Sequence, residues 1–208
     1  MVTSRVLQLA DSAFPTGGFA HSGGLEALIQ AKEPVDIELL ARELVEQQAR
    51  GVLPLVGAAW DAPETIGELD ALARAVTWNH VAARASRAQG RALYDVAERA
   101  FGVPRPSDLD GYLAPAFGYV TRALAVSRDD ALATFLHLAL RGTLSAAVRL
   151  GVVGPVEAQA IHHRLHPTLE TALAHARTLG VADIAQTTPI VELFQATHDH
   201  LYSRLFQS

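Results

Sequence analysis

The chain has 208 residues, half of them hydrophobic, and its 17 basic and 22 acidic side chains give a formal net charge of -5. That suits one folded domain with a sizeable core and excludes intrinsic disorder. There are 37 alanines, no cysteine and a single lysine, Lys32, against 16 arginines, which excludes disulfides, thiolate metal sites and cysteine nucleophiles. A P-loop is excluded too: it needs Gly-Lys-Ser/Thr, and Lys32 sits between Ala31 and Glu33.

The mild negative charge and scattered basic residues argue against a nucleic-acid partner. No uninterrupted apolar run approaches the roughly 20 residues of a membrane span; the longest, Val52 to Trp60, contains Pro54 and Gly57. The apolar stretch after Arg5 is cut by Gln8 and Asp11, so it does not read as a signal peptide. The expectation is a soluble, cytoplasmic protein, with neither nucleic acid nor membrane as partner.

In chain order, the first feature is Pro15-Thr16-Gly17-Gly18-Phe19-Ala20-His21-Ser22-Gly23-Gly24-Leu25-Glu26. So many glycines exclude a helix interior and point to a turn or a close backbone approach. Either Ser22 caps the following helix in a simple connection, or the loop faces a partner with His21 and Glu26 as its polar groups. Asp36 then caps a helix whose apolar residues recur at helical spacing from Ile37 to Ala59. Thr65 to Glu68 has capping-box form and opens a helix to Val76. The next helix runs from His80 to about Ala100 and stops at Gly102, with Pro104 beyond. Arg105 to Asp110 reads as a loop, and Pro115 sits in the first turn of a helix reaching about Val126.

Ser127 and Asp130 cap a long helix, Ala131 to Leu150, apolar almost all round and therefore central. Gly151, Gly154 and Pro155 mark a turn, short helices follow over Pro155 to Leu165 and Thr168 to Thr178, and Thr188-Pro189 starts a last helix toward His200. No segment alternates with period two, and alanine is the best helix former. The prediction is an all-α, single-domain bundle of roughly eight to ten helices over residues 1–208, ending in an interaction tail over about 201–208.

Three groups of side chains invite a chemical reading. His137, Arg141, Ser145 and Arg149 recur every four residues on the long helix and so form one slowly winding stripe, either a solvated face or a polar lining. His162 and His166 have the i, i+4 spacing of a two-histidine metal clamp. They lack the intervening glutamate of the zinc-protease form, Pro167 follows, and Glu170 adds a third ligand only if the helix continues through the proline. A surface pair is the favoured reading, with no dedicated metal site. The ending Leu201-Tyr202-Ser203-Arg204-Leu205-Phe206 carries anchor residues of protein interfaces and docks either on its own core or on a partner. No serine lies in a G-x-S-x-G elbow, so no catalytic residue is assigned.

The run Leu7-Gln8-Leu9-Ala10-Asp11-Ser12 leading into Pro15-x-Gly17-Gly18-Phe19-x-His21-Ser22-x-Gly24-Leu25-Glu26 resembles the N-terminal motif of the urease accessory protein UreF family. Ala85-Ser86-x-x-Gln89-Gly90, Ser145-Ala146-Ala147-x-Arg149-Leu150 and Tyr202-Ser203-Arg204-Leu205-Phe206 agree, in the family's order. His198-Asp199 stands where many members have His-Glu. The resemblance implies an all-helical, dimeric, non-enzymatic maturation factor. Such a protein binds UreD (also called UreH), recruits the GTPase UreG and serves nickel delivery to apo-urease. It implies no tightly bound cofactor, with nickel in transit and GTP on the partner. It also implies that Tyr202 to Phe206 help form the UreG-recruiting surface, with Arg204 as the central hydrogen-bonding group. Two alternatives stay open: a metal-binding helical enzyme using His162 and His166, and a helical interaction module unrelated to urease.

Overall fold

Helix starts and stops fall largely where short-range chemistry places them. In the computed structural model, which describes residues 4–208, eleven α-helices follow one another without a strand among the described residues. They are α1 (Ser4–Leu9), α2 (Leu25–Gln30), α3 (Ile37–Gly51), α4 (Leu53–Asp61), α5 (Ile66–Val76), α6 (His80–Phe101), α7 (Leu113–Ala123), α8 (Arg128–Arg149), α9 (Pro155–Arg164), α10 (His166–Ala176) and α11 (Pro189–Ala196). Asp36 caps α3 by accepting from the Glu38 and Leu39 amides, and Ser127 caps α8 by accepting from Asp130. Gly102 ends α6 in the left-handed conformation, φ 68°, which a residue without Cβ adopts at least cost.

Tertiary structure revises several local expectations. The stretch from Ile37 to Ala59 is two helices: Val52 leaves helical geometry (φ -124°, ψ -45°) and Pro54 restarts the chain within the first turn of α4. Proline there lacks only an amide that would be unpaired anyway. The Thr65 capping box does not form, because the Thr65 hydroxyl donates to the Ala62 carbonyl instead. Ser22 does not cap α2; Gly24 holds that position without a side-chain bond. The last helix stops at Ala196, and a separate 3₁₀ turn covers His198–His200.

The centre of the molecule is α8, which packs against α3, α4, α7, α9 and α10. It is the one helix among the described residues long and apolar enough, by length and composition, to cross a membrane, a property missed when only unbroken apolar runs are considered. Here its apolar side forms core: Leu132, Leu136, Leu140 and Leu144 are each no more than 4% exposed. Burying one leucine is worth about 1.5–3 kcal/mol. The polar stripe His137, Arg141, Ser145, Arg149 lies one residue, about 100°, round from these leucines. All four are half-buried in consequence.

The Ser86-x-x-Gln89-Gly90 motif on α6 belongs partly to this packing. Ser86 Oγ accepts from the Leu113 amide at 3.0 Å, and Gly90 lets the Gly111–Leu113 backbone come close. On α5, buried Asp70 accepts from the amides of Asp110 (2.7 Å), Gly111 (3.2 Å) and Tyr112 (2.8 Å), satisfying orphan donors at the entry to α7.

Candidate functional site: the motif loop and the C-terminal segment

The glycine loop is built to receive the end of the chain. Gly17, Gly23 and Gly24 take positive φ (75°, 62° and 93°), turning the backbone so that Ala20, Ser22 and Glu26 line one wall. The opposite wall is 203–208. The Ser22 amide and hydroxyl both donate to the Ser208 carbonyl, at 2.6 and 3.1 Å, and the Gln207 amide donates to Ala20 O at 2.8 Å. His21 Nδ1 shares a hydrogen bond of 2.5 Å with Ser208 Oγ. Gln30 donates to the Ser203 carbonyl at 2.7 Å.

Glu26 is the hub of this seam. Its side chain is 3% exposed. Oε1 accepts from the Leu205 amide at 2.7 Å; Oε2 accepts from the Phe206 amide at 3.2 Å and from His198 Nε2 at 3.1 Å. A buried carboxyl group is tolerated only when so many donors face it. His198 is fully buried beside it, and its Nδ1 has no partner.

Arg149 joins the same place from α8. Its guanidinium lies between two rings, 4.0 Å from the Phe19 centroid and 4.2 Å from that of Phe206, and it donates to the Phe19 carbonyl. One residue thus ties loop to tail through two cation–π contacts, each worth about 0.5–1 kcal/mol at a partly exposed site. Gln89 of α6 lies on the open side of Gly18, where a Cβ added to that glycine would meet its Oε1 at 3.1 Å. The four motif segments, distant in sequence, therefore adjoin in space.

Outside the seam the same segments are open. Tyr202 is fully exposed, and Phe19 and Leu205 are more than half exposed. Phe206 is buried. The tail thus splits the two sequence alternatives by residue: one part docks on its own chain and another faces out. Arg204 is exposed and lies 3.6 Å from Asp199. Asp199 already holds Arg84 through two bonds of 2.7 and 3.0 Å and meets His80 at 3.2 Å. The Arg84 hydrogen bonds, chiefly, pull its carboxyl down to about 2. Arg204 is the loosest cation on that carboxylate, so its guanidinium keeps donors for another acceptor.

Burial, with the Arg84 charge second, lowers the pKa of His21 below 6.5. In the unfolded chain His21 takes up its proton at ordinary pH, while in the fold it resists. Its contribution is therefore complete above about 6.5 and declines as pH falls below that value. Thermal melts should show a smaller loss of Tm between about pH 7.5 and 5.5 in His21→Gln than in the parent. An equal loss in both would contradict this.

The structure places the remaining polar stripe elsewhere. Arg141 donates to the Ala10 carbonyl, so the stripe tethers other segments and is not an open solvated face. His162 and His166 fall on different helices, α9 and α10, yet their rings remain 5.6 Å apart because the chain stays helical in pitch through Leu165. His137, assigned from sequence to a separate stripe, lies 5.2 Å from His162. Sequence reasoning missed that neighbour because only the packing of α8 on α9 brings the two together. Burial lowers the pKa of both His137 and His162 below 6.5. Glu170 lines one cavity with His137 and His166.

The UreF family profile matches residues 37–166. The chain belongs to the UreF family. Urease accessory protein F of Arabidopsis thaliana is 37% identical over 97% of this chain and 90% of its own length. The protein of the same name from Oryza sativa subsp. indica is 32% identical over 96% of this chain and 82% of its own. Urease accessory protein UreF of Trichodesmium erythraeum is 29% identical over 97% and 94%. The profile match covers the α6 motif and the whole of α8, while these pairwise similarities span nearly the whole chain.

Proposed function

We propose that this UreF-family chain is a non-catalytic accessory factor in urease maturation, a scaffold that joins UreD (UreH) and recruits and regulates the GTPase UreG while nickel is inserted into apo-urease. Family membership and the names of its relatives as urease accessory proteins support the role in maturation. The observation that carries the scaffold reading is the meeting of all four motif segments at one surface. There a pinned backbone presents Phe19, Tyr202, Leu205 and the under-used donors of Arg204 outward. Aromatic and arginine side chains on a rigid base are what protein interfaces use as anchors. Nickel is cargo in this reading, GTP is bound and hydrolysed by UreG, and the working form is a cytoplasmic homodimer.

Co-expression with UreD and UreG should yield a complex, and Arg204→Ala should reduce UreG recovered on the tagged complex by about tenfold, the loss of one charged hydrogen bond. UreD should still bind. Undiminished recovery of UreG with Arg204→Ala would remove Arg204 from the surface, and absence of any complex with the parent chain would remove the scaffold reading.

A further inference from the structure

Outside the loop–tail seam, α8 and α9 enclose a cavity of about 260 Å³ between them. Each helix lines it with one face. Positions 141, 144, 145 and 148 of α8 and 155, 158, 159 and 162 of α9 share the same i, i+3, i+4, i+7 spacing. The polar groups on these faces are Arg141, Ser145, Gln159 and His162, and none of the lining residues is acidic. Glu157 of α9 is not among them and is held by Arg164 at 2.7 Å.

The cavity offers donors that the protein itself does not use. Among the described residues no protein group accepts from the Ser145 hydroxyl, the Gln159 amide or His162 Nε2. Arg141 commits one N–H to the Ala10 carbonyl, and a guanidinium has five. Burial, with the His137 and His166 charges after it, lowers the pKa of His162 below 6.5, so its ring is neutral at pH 7 and still carries one N–H. Arg141 is therefore the single full charge on the wall. It matches one negative charge, whereas a phosphate dianion would bring a second with no cation to meet it. The guanidinium fork fits the two oxygens of a carboxylate. The rest of the wall, Leu144, Val148, Pro155 and Ala158, suits a short apolar body and gives nothing to a bare inorganic ion. The volume lies just under the range of about 300–1,000 Å³ typical of larger organic ligands, so the occupant is small.

We propose that the cavity between α8 and α9 binds a small aliphatic monocarboxylate, its carboxylate on Arg141 and its carbon chain against Leu144 and Val148. Ser145, Gln159 and His162 supply the further donors. The site stands independently of the urease reading, because it concerns a face of α8 and α9 away from the loop–tail surface, and its failure would leave that reading untouched.

Chemical-shift titration of the full chain with sodium butyrate tests it. Saturating shifts should centre on Ser145 and Gln159. Butyramide, which has the same shape without the charge, and sodium phosphate should each bind about tenfold more weakly. So should N-acetylglutamate N-methylamide, a carboxylate carried as on a protein, because its peptide groups would lie against the apolar wall. Arg141→Gln should weaken butyrate binding by about tenfold or more. Arg141 also holds the Ala10 carbonyl, so Gln159→Leu, at an exposed position, serves as the second variant and should weaken binding severalfold in a folded chain. His80→Ala, near the tail, should leave it unchanged. Equal affinity for butyramide, phosphate or the glutamate amide would overturn the site. So would shifts centred on other residues, undiminished binding in folded Gln159→Leu, or no saturating shifts with butyrate in the parent chain.

Discussion

Glu26→Gln should free the last residues of the chain while leaving the helical core folded. Four donors converge on the two Glu26 oxygens: the backbone amides of Leu205 and Phe206, His198 Nε2 and, more distantly at 3.5 Å, Gln30 Nε2. A glutamine offers one oxygen and one NH₂. In either orientation its NH₂ faces a buried N–H, donor against donor. Each lost bond that leaves a buried donor unpaired costs about 1–3 kcal/mol, and 203–208 is held besides by the Ser22, His21, Gln30 and Gln207 bonds, the Arg204–Asp199 pair and the Phe206–Arg149 contact. Hydrogen exchange is the measurement. The Leu205 and Phe206 amides should lose protection by about tenfold or more, and the amides of α8 should not change. Unchanged protection at Leu205 and Phe206 would mean that the tail is held mainly by Phe206 and Ser208. The same variant asks whether the clamp matters to partners, since a released tail no longer presents Tyr202 and Arg204 on a rigid base.

Gly118→Ala should be among the most destabilising single-methyl additions in the protein. A Cβ there would meet the Val56 carbonyl oxygen at 2.2 Å, Ala59 Cβ at 2.9 Å and the Trp60 amide nitrogen at 3.0 Å. Two of these are backbone atoms of α4, so no rotamer change relieves them and the two helices must part. Overpacking typically costs about 1–3 kcal/mol, occasionally more, and rigid partners place Gly118 at the upper end. The roughly 1 kcal/mol by which alanine outranks glycine in a helix does not offset it. At about 2–4 °C per kcal/mol for a chain of this size, Tm should fall by roughly 5–10 °C. Gly90→Ala should behave alike, since its Cβ would lie 2.2 Å from the Gly111 carbonyl oxygen. Gly142, in the middle of α8, is the control: nothing lies within 4 Å of its Cβ position, so alanine there should raise Tm slightly. Equal melting temperatures for Gly118→Ala and Gly142→Ala would refute the close-packing account.

Part of the site was legible in the sequence. The glycine loop, the Arg149 motif and the tail were identified by resemblance, and the loop's turn by its glycines. The Arg149 role was not readable, because a four-residue spacing shows only that side chains share a helix face. Which face is covered depends on the Phe19 and Phe206 rings, which come from segments far away in the chain. Ser22 shows the same gap: Ser just ahead of a helix suggests a cap, but the serine instead binds Ser208, 186 positions on. The Gly90 motif resembled a functional signature and proves to serve packing of α6 on the α7 entry, at least in part.

The sequence by itself determined the helical class, several helix starts and stops such as Asp36, Ser127 and Gly102, and the absence of cysteine and P-loop chemistry, because caps, proline, glycine and 3.6-residue periodicity act within a few residues. The break at Val52 was not read there, since the apolar spacing runs on from Ile37 to Ala59 across Pro54. Only the tertiary structure decided that His137 neighbours His162, that Glu26 holds the end of the chain, and that Phe206 is buried while Tyr202 is exposed. Each of these depends on contacts between distant segments. Spacing along one helix fixes the angle at which a side chain leaves it, but the partner at that angle is set by how the helices pack.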